Sequence, residues 1–172
     1  NQINQINQIN QMNQINSSMT VVVTGASTGI GAACALDCAG RGMTVFAGVR
    51  DPRAGEALAA KGGPSLIPVT LDVTDEPSIT RSVEIVRQVV GEAGLGGLIN
   101  NAGILIKKPF QQMTLEEIER IFRVNIFAPS ILIRELMPYM GRKGMTHVVN
   151  ISSMGGFQGS VKYPGLSYYS AS

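Results

Sequence analysis

From Thr20 onward the apolar residues follow two alternating rhythms. Short runs rich in β-branched residues, at 21–23, 44–47, 66–73, 98–100 and 146–151, predict five strands. The stretches between them repeat at helical spacing. The first helix is expected over 29–39, ended by Gly40 and Gly42. Asp51-Pro52 supplies a cap and a first-turn proline for a second helix to about residue 60. Thr74 or Asp75 caps a third, whose Ile79, Val83, Val86 and Val90 share one face, and Gly94, Gly96 and Gly97 close it. Thr114-Leu115-Glu116-Glu117 reads as a capping box for a long helix reaching Tyr139, with Pro129 kinking it just after Asn125. After residue 152 a Gly/Ser-rich loop enters a new helix. Strand and helix in alternation predict an α/β fold: a doubly wound parallel sheet of Rossmann type, with helices on both faces.

The joint between the first strand and the first helix is Thr24-Gly25-Ala26-Ser27-Thr28-Gly29-Ile30-Gly31. A helix N-terminus offers unpaired N–H groups and the positive end of a dipole, so a turn without side-chain bulk at that point suits a phosphate. Gly25 is expected to take a positive φ, Gly29 to leave room for a pyrophosphate, and Gly31 to let helix and strand approach closely. By itself such a turn is also ordinary chain punctuation.

Residues 1–18 stand apart. Asn-Gln-Ile repeats from Asn1 to Ile15, broken only by Met12, and carries no charge. A period of three builds neither a helical nor a strand face, so this is expected to be a low-complexity, aggregation-prone tail without a role in the site. The domain is expected to begin at Met19.

At 172 residues, 44% hydrophobic and 15% charged, the chain suits one domain. A net charge of +2 is too small to imply a nucleic-acid partner, and Lys107-Lys108 reads as a solvated loop. No apolar run approaches a membrane span and no secretory pattern opens the chain, so a cytoplasmic protein is expected. Cys34 and Cys38 lie on one face of the first helix, where they are expected to pack rather than bind metal. His147, the single histidine, is expected to be structural.

Taken together the motifs resemble the short-chain dehydrogenase/reductase family from Met19 to Ser172. They occur in that family's order: the glycine turn, Asn100-Asn101-Ala102-Gly103, Val124-Asn125, Ser152-Ser153, and Tyr169-Ser170-Ala171-Ser172. The resemblance implies that a dinucleotide lies across the carboxyl ends of the strands. Gly25, Ser27, Thr28, Gly29, Ile30 and Gly31 would hold its pyrophosphate, Asp72 and Val73 would flank adenine, and Asn101, Ala102 and Gly103 would pass beside the adjoining ribose. The Asn-Ala-Gly stretch also reads as a sheet-stabilising turn. Where relatives preferring NAD carry an acid, this chain has Val49 followed by Arg50, so NADP(H) is expected over NAD(H).

The resemblance further implies interconversion of a small-molecule alcohol and a carbonyl by hydride transfer. Tyr169 would be the acid/base, Ser153 the holder of the reacting oxygen, and Asn125 the anchor of a relay water. Ser153 and Tyr169 stand 16 positions apart, longer than expected for the family, which leaves Ser152 and Tyr168 as rivals. The family motif runs Tyr-x-x-x-Lys, and its lysine would fall at position 173, beyond Ser172. If the chain ends at Ser172, without that cation and with an α-carboxylate three residues away, the phenol would ionise even less readily than its ordinary value of about 10 allows. The expectation is therefore the amino-terminal part of a homo-oligomeric oxidoreductase, with little activity of its own and an open sheet edge. A non-catalytic NADP-binding regulator and a truncated, non-functional remnant are the alternatives.

Overall fold

The computed structural model describes residues 19–142 and 144–172; the expected tail at 1–18 lies outside them. Five strands form one parallel sheet in the order β3-β2-β1-β4-β5. They are β1 (Thr20–Val23), β2 (Thr44–Val49), β3 (Leu66–Thr70), β4 (Gly97–Asn100) and β5 (His147–Asn150). The principal helices are α1 (Gly29–Gly40), α2 (Pro52–Gly62), α3 (Glu76–Val90), α4 (Leu115–Phe122), α5 (Ala128–Leu136) and the short α6 (Ser167–Ala171). All neighbouring strands run parallel, with Val22 opposite both Phe46 and Leu98.

Strand alternation sends side chains into two cores. Val22, Phe46 and Leu98 face the core built with α3 and α5. Val21, Val23, Val45, Ala47 and Val49 face the core built with α1 and α2. Each fully buried side chain of this size contributes about 1.5–3 kcal/mol through removal from water. Among the described residues no helix is long and apolar enough to cross a membrane. The four residues of β5 are exposed.

Capping follows the sequence closely. Asp51 accepts from the N–H of Arg53 at 3.0 Å and Asp75 from that of Ser78 at 3.0 Å, while Thr114 and Glu117 complete the capping box. β2 runs on to Val49 and β5 is one residue shorter at each end than expected; three larger differences have a local cause. β3 stops at Thr70 because the Asp72 carboxylate takes the N–H of Thr74 at 2.9 Å and bends the chain. α3 ends at Gly91, whose φ of 47° is the first left-handed position available. The long helix does not simply kink. Pro129 has no N–H for the Asn125 carbonyl, and over Arg123–Phe127 the ladder widens to a π turn in which the Ala128 N–H reaches Arg123 O.

Candidate active site

β1 and β4 are neighbours at the centre of the sheet, and the crossover from β3 back past β1 opens a crevice at their carboxyl ends. Two lobes occupy it, one of about 600 Å³ and one of about 680 Å³. They share the wall Asn101, Ala102, Gly103 and Ile104. The first lobe holds Gly25, Ser27, Thr28, Arg50, Asp72 and Val73; the second holds Ile30, Asn125, Ser152, Ser153 and Tyr169.

The glycine turn is shaped by what surrounds it. Gly25 has φ 64°, and a Cβ there would lie 2.8 Å from the Cα of Ala102. Gly29 has φ 59° and faces open space, so its requirement is conformational. A Cβ on Gly31 would overlap the Gly25 carbonyl oxygen and Asn101 Nδ2. The nearest obstacles to a side chain at Gly31 are thus the turn that follows β1 and the Asn101 amide. That amide donates to Thr24 O at 2.9 Å and Gly25 O at 3.1 Å. Thr24 Oγ1 in turn accepts from the N–H groups of Asn101 and Ala102, each at 3.0 Å.

The turn fits a diphosphate. α2, α3 and α4 have side-chain caps, whereas Thr28 leaves the first turn of α1 uncapped, its N–H groups open beside the space in front of Gly29. Val49 is buried in the core, so Arg50, exposed at the end of β2, is the side chain that reaches the cleft. Asp72 is held below the usual carboxylate range, first by the Thr74 hydroxyl and N–H and then by the charges of Arg50 and Arg120.

In the second lobe Asn125 spends its amide on Ile104. Its Oδ1 accepts from Ile104 N at 2.9 Å, and its Nδ2 donates to Ile104 O at 3.0 Å and Ser172 Oγ at 2.8 Å. Ser153 Oγ accepts from Gly155 N at 3.1 Å, capping a 3-10 turn at Met154–Gly156. A Cβ on Gly155 would stand 3.4 Å from that oxygen and 3.5 Å from Tyr169 Cε1, so the serine hydroxyl and the tyrosine ring flank one glycine. Tyr168 is turned elsewhere, stacked on Phe110. The extra length between Ser153 and Tyr169 closes on itself. Lys162 Nζ donates to Gly155 O at 2.6 Å and Phe157 O at 2.8 Å, and Ser160 Oγ donates to Met154 O at 2.6 Å.

Other residues take quieter places. His147 is exposed at the start of β5, away from the cleft lining. Cys34 and Cys38 are free, pack against the α1 side of the core, and burial pushes the Cys38 thiol up. Lys108 is more than solvated, pairing with Glu117 at 2.9 Å. Arg120, Arg123, Glu116 and Glu119, which no sequence motif marks as site residues, also line the first lobe. Their four-residue spacing resembles an ordinary solvated helix face.

A family model described as short chain dehydrogenase matches residues 19–172. The chain belongs to the short-chain dehydrogenase family. It is 34% identical over 155 residues to an NADPH-dependent 3-dehydrocapnine reductase of Ornithobacterium rhinotracheale, covering 88% of this chain and 54% of that protein. It is 35% identical over 137 residues to dehydrogenase/reductase SDR family member 9 of Bos taurus, covering 79% and 43%. Among solved structures, a short-chain dehydrogenase from Streptomyces avermitilis superposes with a TM-score of 0.81 at 35% identity, over 91% of this chain and 56% of the other. A 3-ketoacyl-(acyl-carrier-protein) reductase from Brucella melitensis, solved with NADH, gives a TM-score of 0.81 at 27% identity, over 89% and 63%. This short-chain dehydrogenase chain spans about half the length of the curated relatives it matches.

Proposed function

We propose that the chain carries the nucleotide-binding and acid/base elements of an NADP-dependent oxidoreductase that interconverts a secondary alcohol and a carbonyl compound. The observation that supports this most is the shared wall of Asn101 to Ile104: it adjoins both the lobe of the uncapped glycine turn and the lobe of Ser153 and Tyr169. The turn would hold the diphosphate, Asp72 and Val73 the adenine, and Asn101, Ala102 and Gly103 the neighbouring ribose. Arg50 would pair with a 2′-phosphate, because no carboxylate stands at position 49 to prefer a hydroxyl. One relative carries NADPH dependence in its name, which agrees with that preference.

Bound there, the nicotinamide would supply or accept the hydride. The protein's share is the proton and the orientation. Tyr169 would give its phenolic proton to the carbonyl oxygen in reduction and recover one from the alcohol in oxidation. Ser153 accepts from Gly155 N, which leaves its own proton free to hold the same substrate oxygen. Asn125 fixes Ile104 from both sides and so keeps the wall between the lobes in place.

Titration with NADPH and NADH tests the cofactor half. Tighter binding of NADPH, with the difference abolished in Arg50→Ala, is expected; equal affinities in the unaltered chain would reject the preference. For the chemistry, carbonyl turnover by this chain or by a longer protein containing it should vanish in Tyr169→Phe and survive in Tyr168→Phe. Turnover retained in Tyr169→Phe would reject the assignment.

A further inference from the structure

Three guanidinium groups, those of Arg50, Arg120 and Arg123, line the first lobe. Among the described residues none of them makes an ion pair. For Arg120 and Arg123 this is unexpected. Glu116 stands four residues before Arg120 and Glu119 four before Arg123, the order and spacing that favour pairing along a helix. Neither pair closes, and both arginines lie along the cleft instead.

The surroundings distinguish the two sides of the lobe. Arg50 comes from the end of β2, where the neighbouring Asp51 is already engaged by Arg53 at 3.0 Å, so its charge is available to an anion. Arg120 comes from α4 with Glu116 and Glu119 on the same wall. Those carboxylates oppose a phosphate but not a neutral, flat base. Asp72 lines the same lobe and feels the charges of both Arg50 and Arg120.

We infer that Arg120 is a specificity-determining residue for the adenine base, laying its planar guanidinium against the ring on the α4 side while Arg50 alone reads the 2′-phosphate. The inference rests on the nucleotide reading of this cleft and adds a residue to it. Guanidinium planes stack on aromatic faces and are weakly hydrated, so little is lost in covering a base. A lysine ammonium, a point charge on a flexible stem, does not reproduce this.

The test is titration of the chain with four ligands, 5′-AMP, 2′,5′-ADP, NADH and NADPH, using Arg120→Ala, Arg120→Lys and Arg50→Ala. Arg120 is exposed, so its replacement should leave the melting temperature unchanged. Arg120→Ala should weaken all four ligands by a similar factor, about 3- to 10-fold, and Arg120→Lys should weaken them too. Arg50→Ala should weaken only 2′,5′-ADP and NADPH. A loss in Arg120→Ala confined to the 2′-phosphorylated ligands would overturn the inference, as would full affinity in Arg120→Lys or no change in either variant. If Arg50→Ala weakens all four ligands alike, the division of roles between Arg50 and Arg120 is overturned together with the cofactor preference. If the unaltered chain binds none of the four, the nucleotide reading fails and the inference with it.

Discussion

The ring of Tyr168 lies nearly parallel to that of Phe110, with centroids 5.1 Å apart and planes 9° from each other. One tyrosine of the adjacent pair is thereby used for packing, and the other, Tyr169, lines the second lobe. Two phenols that look alike in the sequence are separated by a contact 58 positions away.

That contact predicts a division of labour. Phe110→Ala removes the platform under α6 and should cost about 1 kcal/mol, the usual range for an aromatic pair. Limited proteolysis should then cut sooner near residues 166–172. An unchanged cleavage rate would show that α6 is held by its other contacts.

Thr24 has an acceptor that valine lacks at nearly the same shape. Thr24→Val leaves the N–H groups of Asn101 and Ala102 without their partner in a buried place, costing about 2–4 kcal/mol. Urea unfolding measures this, and Thr24→Ser should recover most of it. A loss below 0.5 kcal/mol, on the order of an ordinary surface change, would contradict the clamp.

Two glycines of the turn should fail differently. Gly29→Ala forces a side chain into φ 59° but meets no atoms, so the fold should survive with roughly 1 kcal/mol lost and dinucleotide binding reduced. Gly31→Ala drives a methyl group into Gly25 O and Asn101 Nδ2 and should destabilise the protein more. Thermal melts of the two variants decide; the reverse order would mean that the turn can rearrange.

Acid should weaken the fold from a defined point. Asp51, Asp72, Glu84 and Glu117 all have depressed pKa values, Glu84 down to about 2 through its bonds to Arg87 and Gln88. Each contributes stability above its unfolded value, 3.8 for aspartate and 4.5 for glutamate, and loses it as pH falls through the folded value. The melting temperature should be flat from neutrality to about pH 5 and decline below about pH 4.5. Asp72→Asn should make the decline shallower. A melting temperature that rises on acidification would reverse the sign.

Local chemistry was legible wherever the signal was local. Asp51, Asp75 and Thr114 cap the helices they precede, and the alternation of Val21, Val22 and Val23 sorts them into two cores as the strand period requires. The choice between competing arrangements of one segment was not. The π turn at Asn125 comes from a missing donor at Pro129, which predicts disruption but not the new register. The early end of β3 depends on Asp72 turning back to Thr74 instead of continuing the ladder. Arg120 was hidden because a Glu–Arg pair four residues apart reads as solvated until the structure shows the pair open.

The clamp on the glycine turn also sets an order of events in time. Thr24 leaves the ribosome well before its partners, because the N–H groups that fasten to it belong to residues 77 and 78 positions later. At about 5–20 residues per second the turn waits roughly 4–15 s for its fastening. Until β4 arrives a nascent chain displays the whole glycine motif without the device that shapes it. Early ligand therefore has no formed cradle to stabilise, and this pairing, 77 and 78 positions apart, governs when the glycine turn takes its shape.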